Sequence, residues 1–153
     1  MKEGIMQMKP IRLHHVGIIM TSMERAEQFL EQFGLEKDII EYVEAYHADC
    51  LFTKYADGGS PVELIIPTEG VLAKFSNGKG GIHHIAFEVE DVKIAKEEFA
   101  LKGMKMLEDT PVQGVGGTIV NFLRPRDGFG VLVEFTETVK KHGEKNSKDG
   151  ETV

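Results

Sequence analysis

The sequence has one cysteine, no long hydrophobic run and little positive charge, and each shortage excludes a class of protein. The single thiol of Cys50 cannot form a disulfide within the chain, which indicates a reducing, cytoplasmic environment rather than a disulfide-stapled secreted fold. No apolar stretch approaches the roughly 18 residues that a membrane-spanning helix needs. Residues 1–10 also lack the apolar core of a signal peptide. We therefore predict a cytoplasmic protein with no membrane partner.

The shortage of positive charge argues against a second group of partners. Eighteen Lys and Arg residues stand against 25 Asp and Glu residues, which gives a formal net charge of −7 at pH 7. Binding to nucleic acid depends on a basic surface, so we expect no nucleic-acid partner. A length of 153 residues with 41% hydrophobic residues instead predicts a globular protein that buries its own core.

The sequence does contain an internal repeat with an offset of 69 residues. His14 and His15 in RLHHVGIIM align with His83 and His84 in GGIHHIAFEV, and an apolar run follows each pair. Each run is typical of a strand. The repeat raises the question of why one short chain begins two similar strands with two adjacent histidines.

The repeat continues into a predicted helix in each half. Ser22 aligns with Asp91, and both residue types cap helix N-termini because a side-chain oxygen accepts from free backbone N–H groups. Hydrophobic residues follow at helical spacing. Gly34 then aligns with Gly103, and each glycine predicts the end of a helix.

The remainder of each half also corresponds. The segment SPVELIIP in the first half resembles GVLVEFTE in the second. Each half has room for two more short strands, and we interpret ADCLFTKY as one of them in the first half and TIVNFLR as one in the second. Each half is therefore predicted to be a β-α-β-β-β module. The fold class is α+β, with two tandem modules forming curved mixed sheets around a shared cavity.

This interpretation divides the chain into three parts. Residues 1–10 form an N-terminal segment, and residues 11–137 form a single domain. Within that domain, module one spans about residues 11–67 and module two about residues 80–137. Residues 138–153 are polar and charged, which predicts a disordered tail.

Strand alternation selects four polar side chains for the shared cavity. In the last strand of each module the apolar residues fall on one face, and Glu63 or Glu134 falls on the other. Alternation places His84 on this second face, and the repeat makes His15 its equivalent. The first histidine of each pair is predicted to point the opposite way.

Two imidazoles and two carboxylates on one concave surface suit a divalent metal ion with nitrogen and oxygen ligands. Zinc, cobalt, nickel, manganese and iron are all compatible with such a set. The alternative is that the histidines are ordinary strand residues and the glutamates lie on a solvated face. Matched offsets and matched faces strengthen the metal interpretation, and both interpretations stay open on the pattern alone.

The motifs resemble those of the vicinal oxygen chelate superfamily, which includes glyoxalase I, extradiol dioxygenases, fosfomycin and bleomycin resistance proteins and methylmalonyl-CoA epimerases. LHHVGI, GGIHHIAFEVEDV, GVGGTIVNFLRP and GVLVEF are similar in order and spacing to segments of the epimerases. The resemblance runs from about Ile11 to Glu137. It implies paired modules around one metal site, and a homodimer.

The resemblance also implies site residues and an activity. One divalent ion per chain would be held by His15, Glu63, His84 and Glu134. The implied function is a metal-dependent epimerase that moves the α-proton of a methylmalonyl-CoA-like thioester through a metal-stabilised enolate. Glu134 is the first candidate for the catalytic base, with Glu63 or Asp49 facing it.

Two other functions stay open at this point. Epimerases commonly have His where this chain has Arg124, and the following RDGFG segment is typical of glyoxalase-like proteins. A glyoxalase I-type lactoylglutathione lyase acting on a hemithioacetal is therefore the enzymatic alternative. The other alternative is a non-catalytic small-molecule-binding protein of the resistance type, which would need no metal.

Overall fold

The computed structural model describes residues 8–138. Predictions for residues 1–7 and 139–153 lie outside the described residues, and the domain limits of 11–137 stay a prediction. The strands are β1 (Arg12–Ile19), β2 (Lys37–Val43), β3 (Ala48–Thr53), β4 (Val62–Pro67), β5 (Gly81–Glu88), β6 (Val112–Gln113), β7 (Ile119–Leu123) and β8 (Val133–Glu137). The helices are α1 (Met23–Phe33) and α2 (Val92–Leu101), with 3₁₀ helices at Glu44–Tyr46, Leu72–Gly78 and Val115–Gly117.

The element order confirms the predicted β-α-β-β-β modules. Module one is β1-α1-β2-β3-β4 and module two is β5-α2-β6-β7-β8. The 3₁₀ helix Leu72–Gly78 lies in the segment that joins them. No helix within residues 8–138 is long and apolar enough to cross a membrane.

The two modules share one curved eight-stranded mixed sheet with the strand order β2-β3-β4-β1-β5-β8-β7-β6. The centre is the antiparallel pair β1 and β5, flanked by the parallel pairs β1–β4 and β5–β8. The order is therefore the same when read outward from the centre in either direction. One edge strand also contacts the other module, since the Glu41 carboxylate on β2 accepts a hydrogen bond at 3.0 Å from the N–H of Gly116, in the 3₁₀ helix between β6 and β7.

One face of each half-sheet is covered by the helix of its own module. Ala26 and Leu30 of α1 are buried against Leu51, Leu64 and Ile66. Such burial stabilises the fold by about 1.5–3 kcal/mol for each large aliphatic side chain. The apolar face predicted for the last strand of module one is therefore the face under α1.

Module two repeats this packing with different residues. Val92 of α2 is buried with Val89, Met106, Leu123 and Phe135. The helices thus occupy one face of the sheet in both modules. The other face is left to line a cavity, and the polar residues of the central strands point there.

Candidate metal centre

The four central strands each supply one candidate ligand. His15 lies on β1, His84 on β5, Glu63 on β4 and Glu134 on β8. All four side chains line one cavity, as strand alternation predicts. The histidine pair occurs twice in the chain because each module delivers one histidine and one glutamate to a shared site.

The strand register explains how four side chains fit into one small volume. Glu63, Gly17 and His84 lie in one row across β4, β1 and β5. His15, Ala86 and Glu134 lie in the equivalent row across β1, β5 and β8. In each row a residue with little or no side chain separates the histidine from the glutamate, so both polar side chains can lean over it.

The donor atoms converge at distances that suit a single ion. The Nε2 atoms of His15 and His84 are 3.1 Å apart. One Glu63 oxygen lies 3.5 Å from the first and 3.4 Å from the second. Glu134 places one oxygen 3.7 Å from His15 Nε2 and the other 3.0 Å from His84 Nε2. Donors roughly 2.0–2.2 Å from one ion are about 3.0–3.5 Å apart, so Glu63 lies at a suitable distance from both imidazoles. One donor atom from each of His15, His84 and Glu134 also lies within 4.8 Å of the other two, a group that could hold a metal ion.

The electrostatics of the cluster also favour a bound cation. The four residues are between 2% and 7% exposed, and burying two carboxylates without a counter-charge is costly. Burial by itself lowers the pKa of His15, but the carboxylates of Glu134 and Glu63 outweigh it and raise the pKa to about 10. Burial likewise raises the pKa of Glu134, but His15 and His84 hold it well below its usual range. A divalent ion would replace the proton and balance both carboxylates.

Aromatic side chains hold the two candidate ligand rings in equivalent ways. Phe52 of β3 packs edge-on against His15, with ring centroids 5.0 Å apart. Phe122 of β7 packs in the same way against His84 at 5.5 Å. Because the ring planes are fixed by packing, the Nε2 atoms point at the cluster without further reorganisation.

The prediction that the first histidine of each pair points away from the cavity is wrong. Both His14 and His83 line the cavity. In β1, Leu13 pairs with Phe87 and His15 with Ala86, so His14 is an extra residue.

The same irregularity occurs in β5. Gly17 pairs with His84 and Ile18 with Ile82, so His83 is the extra residue there. A β-bulge interrupts strand alternation and re-aims a side chain. The two bulges therefore turn both doublets toward the cavity, which alternation alone could not predict.

The structure does not bring Asp49, the other candidate for a facing base, into the cavity. Cys50 and Phe52 of β3 line the cavity, whereas Leu51 packs under α1. Asp49 shares the strand parity of Leu51 and does not line the cavity. Of the predicted catalytic carboxylates, only Glu63 and Glu134 meet in the site.

The cavity has a volume of about 700 Å³ and walls from both modules. Sequence reasoning missed Tyr46, whose ring packs edge-on against Phe122 at 5.8 Å. Burial, followed by the nearby carboxylate Glu134, raises the pKa of the Tyr46 phenol. Its short 3₁₀ segment has no periodicity that could have indicated a role.

Arg124, which stands where epimerases commonly have His, is exposed, and its carbonyl accepts hydrogen bonds within a turn.

Comparison with known proteins agrees with this architecture. Residues 14–122 match the family described as the Glyoxalase/Bleomycin resistance protein/Dioxygenase superfamily. The chain is 41% identical over 133 residues to the mitochondrial methylmalonyl-CoA epimerase of Dictyostelium discoideum, which covers 82% of this chain and 78% of that protein. It is 32% identical over 134 residues to the ethylmalonyl-CoA/methylmalonyl-CoA epimerase of Cereibacter sphaeroides, covering 82% and 97% respectively.

Solved structures give the same result. A variant of Streptomyces coelicolor methylmalonyl-CoA epimerase in complex with 2-nitronate-propionyl-CoA matches with a TM-score of 0.76 at 30% identity, covering 86% of this chain and all of that one. A methylmalonyl-CoA epimerase in complex with methylmalonyl-CoA and NH4+ matches with the same score and identity, covering 86% of this chain and 96% of that one. The predicted resemblance is confirmed: this chain belongs to the glyoxalase/bleomycin resistance protein/dioxygenase superfamily, and its relatives include methylmalonyl-CoA epimerases.

Proposed function

We propose that the chain is a metal-dependent epimerase acting on methylmalonyl-CoA or a closely similar acyl-CoA thioester. The observation that carries the proposal is the buried group of His15, His84 and Glu134, which could hold a metal ion, with Glu63 within 3.5 Å of both imidazoles. These residues line a cavity large enough for an acyl group. The substrate class comes from similar sequences and similar solved structures that are named methylmalonyl-CoA epimerases.

The ion would be held by the two imidazoles and two carboxylates. When bound, a divalent metal supplies Lewis-acid polarisation of a carbonyl oxygen, which makes the neighbouring α-proton more acidic. The geometry leaves the identity of the ion to experiment, with zinc, cobalt, nickel and manganese as the candidates.

The carboxylates are suited to move the proton. Epimerisation requires one group to remove the α-proton on one face of the carbon and another to return a proton on the opposite face. Glu134 and Glu63 come from opposite modules and flank the pair formed by His15 and His84. We assign Glu134 as the base, and Glu63 as the group on the other face.

The neighbours of Glu134 support this assignment. Its Oε1 accepts a hydrogen bond from the Thr136 hydroxyl at 2.6 Å, which fixes the rotamer of the carboxylate. A base held in one orientation needs little reorganisation to reach a substrate proton. Phe122, Tyr46 and other apolar or aromatic walls limit water near the site, which strengthens the interactions within it.

The test is isotope exchange with methylmalonyl-CoA in deuterated buffer. The metal-loaded protein should incorporate deuterium at the α-carbon and racemise the thioester. The His84→Ala variant should do neither at a comparable rate. A wild-type protein that leaves methylmalonyl-CoA unchanged but isomerises the methylglyoxal–glutathione hemithioacetal would replace this proposal with the lyase.

Two further properties belong to the proposal. We propose a homodimer, supported by large apolar side chains that are exposed in the single chain, including Ile82 at 70% and Phe129. A stable monomer in sedimentation at micromolar concentration would contradict it. We also propose a cytoplasmic location, supported by a single buried thiol at Cys50.

A further inference from the structure

We infer that His14 and His83 are positioning residues, each of which accepts a hydrogen bond from the ring of the following histidine and so aims that ring at the metal. The Nδ1 atoms of His14 and His15 are 2.7 Å apart. Those of His83 and His84 are 2.9 Å apart. The inference rests on the metal site of the proposed function and assigns a role to two residues outside the four ligands.

The direction of each hydrogen bond follows from the chemistry of imidazole. A neutral imidazole carries one proton, on either Nδ1 or Nε2. The Nε2 atoms of His15 and His84 face the donor cluster, so these atoms must be unprotonated to bind a metal. The proton of each ligand ring therefore lies on Nδ1. The Nδ1 atom of the preceding histidine is then the acceptor, and that ring carries its own proton on Nε2.

The β-bulges indicate that this arrangement is built rather than incidental. Each bulge leaves one residue without a partner in the β1–β5 ladder, and the unpaired residue is His14 in one strand and His83 in the other. A regular strand would point adjacent side chains to opposite faces. Interrupting the two central strands disrupts pairing locally, and in both strands the interruption brings the same two ring nitrogens together.

The outer rings are themselves held in place by packing. Phe52 lies edge-on to His14 with ring centroids 6.4 Å apart, and Phe75 lies edge-on to His83 at 5.1 Å. A fixed acceptor can impose its orientation on the ring that donates to it. Partners of this kind for metal-binding histidines fix the tautomer and raise the basicity of the ligand, and their loss lowers metal affinity about 10–100-fold.

The experiment compares leucine and asparagine at both positions. His14→Leu and His83→Leu remove the acceptor, and each should weaken zinc binding roughly 10–100-fold in competition with a chelator. His14→Asn and His83→Asn place an amide oxygen near the lost Nδ1, and should retain most of the affinity. His47→Asn is the matched control, because His47 is an exposed histidine of the same cavity that contacts Glu69 and not a ligand ring, so this variant should bind zinc as the wild type does.

Nitrogen-resolved NMR of the zinc-loaded protein provides a readout that a merely structural role would not move. The wild type should show protected Nδ1–H signals for His15 and His84. His14→Leu should abolish protection of the first only, and His83→Leu of the second only. Wild-type zinc affinity in both leucine variants would overturn this inference and leave the proposed function standing. A wild type that binds no zinc, cobalt, nickel or manganese would overturn both.

The geometry points to Tyr46 as a second residue with an unassigned role, that of a hydrogen-bond donor to the acyl substrate. Its hydroxyl oxygen is buried and has no hydrogen-bond partner among the described residues. The side chain lines the cavity and contacts Phe122, whose ring lies against His84. An unpaired buried hydroxyl destabilises the folded state, so a bound acyl oxygen would be its natural acceptor.

Tyr46→Phe tests this second inference, which also rests on the proposed substrate. Removing the hydroxyl should lower kcat/KM for methylmalonyl-CoA roughly tenfold or more, because a hydrogen bond to a charged acyl oxygen is lost. Metal content should be unchanged, and the thermal midpoint should not fall. Tyr42→Phe, at an exposed tyrosine, is the control. Unchanged kcat/KM, or a lower thermal midpoint with loss of metal, would overturn the role of Tyr46 while the wild-type assay separately tests the function.

Discussion

The two modules are nearly identical in their inner strands and differ in their outer ones. The ligand positions match at offsets of 69 for His15 and His84, and 71 for Glu63 and Glu134. At the edges, β2 of module one has seven residues and β6 of module two has two. The comparison teaches that only the strands carrying the site must be duplicated, and the edges are free to shape the cavity mouth differently.

The inner strands contain two informative exceptions to the symmetry. Gly17 of module one corresponds to Ala86 of module two, and Ile65 corresponds to Thr136. The Thr136 hydroxyl donates to Glu134. The two carboxylates therefore occupy equivalent positions in different surroundings, which is the basis for assigning them different roles.

The symmetry of the ligands can be broken one histidine at a time. His15→Ala and His84→Ala should each remove roughly a quarter of a binding free energy of about 12 kcal/mol, a loss of about 100-fold or more in affinity. Metal analysis of the purified variants should find both largely empty. Strong binding by one variant alone would show that the two modules do not contribute equally.

The two carboxylates, unlike the two histidines, should differ in their effect on catalysis. Glu134→Gln keeps an oxygen donor and the side-chain volume but removes the base, so deuterium exchange into the thioester should fall on the order of 10²-fold. Glu63→Gln should reduce exchange less, and both variants should retain metal. A larger effect of Glu63→Gln would reverse the assignment of base and partner.

The sequence predicts most of this architecture because the repeat encodes it locally. Caps, periodicity and strand parity identify both modules and four side chains of the cluster. The orientation of His14 and His83 could not be predicted, because a bulge is set by the pairing of two distant strands. Asp49 was named from the family resemblance alone, and alternation along β3 places it on the face of Leu51, away from the cavity. Tyr46 was missed because no repeat partner or periodic pattern points to it.

A smaller effect is expected at Gly17 and Ala86, the two equivalent small residues that lie between histidine and glutamate in the two rows. A Cβ at Gly17 would overlap the ring of His84, which Phe122 and His83 hold in place. Gly17→Ala should therefore displace that ring and weaken metal binding about tenfold, within the range seen when ligand orientation is lost. Ala86→Gly should cost about 0.5–1 kcal/mol of stability through backbone entropy while leaving metal affinity unchanged. Titration with a chromophoric chelator measures the first, and urea unfolding the second. Equal metal affinity in both variants would show that the His84 ring can move aside from a Cβ at position 17 without losing the metal.

The helix caps should give the smallest difference between the modules. The Ser22 hydroxyl accepts one hydrogen bond, from the Arg25 N–H at 3.1 Å. One Asp91 oxygen accepts two, from the Lys93 and Ile94 N–H groups at 2.8 and 3.1 Å. A carboxylate also interacts favourably with the positive end of the helix dipole.

Loss of the charged cap should therefore cost more stability than loss of the neutral one. Ser22→Ala should lower the free energy of unfolding by about 0.5–1 kcal/mol and Asp91→Ala by about 1–2 kcal/mol. Urea unfolding measures both, and raising the salt concentration should narrow the gap, because the dipole interaction is screened. Both helices cover the sheet face opposite the cavity, so neither variant should change metal affinity. A cap variant that released the metal would show that helix packing, and not only the inner strands, holds the four ligands in place.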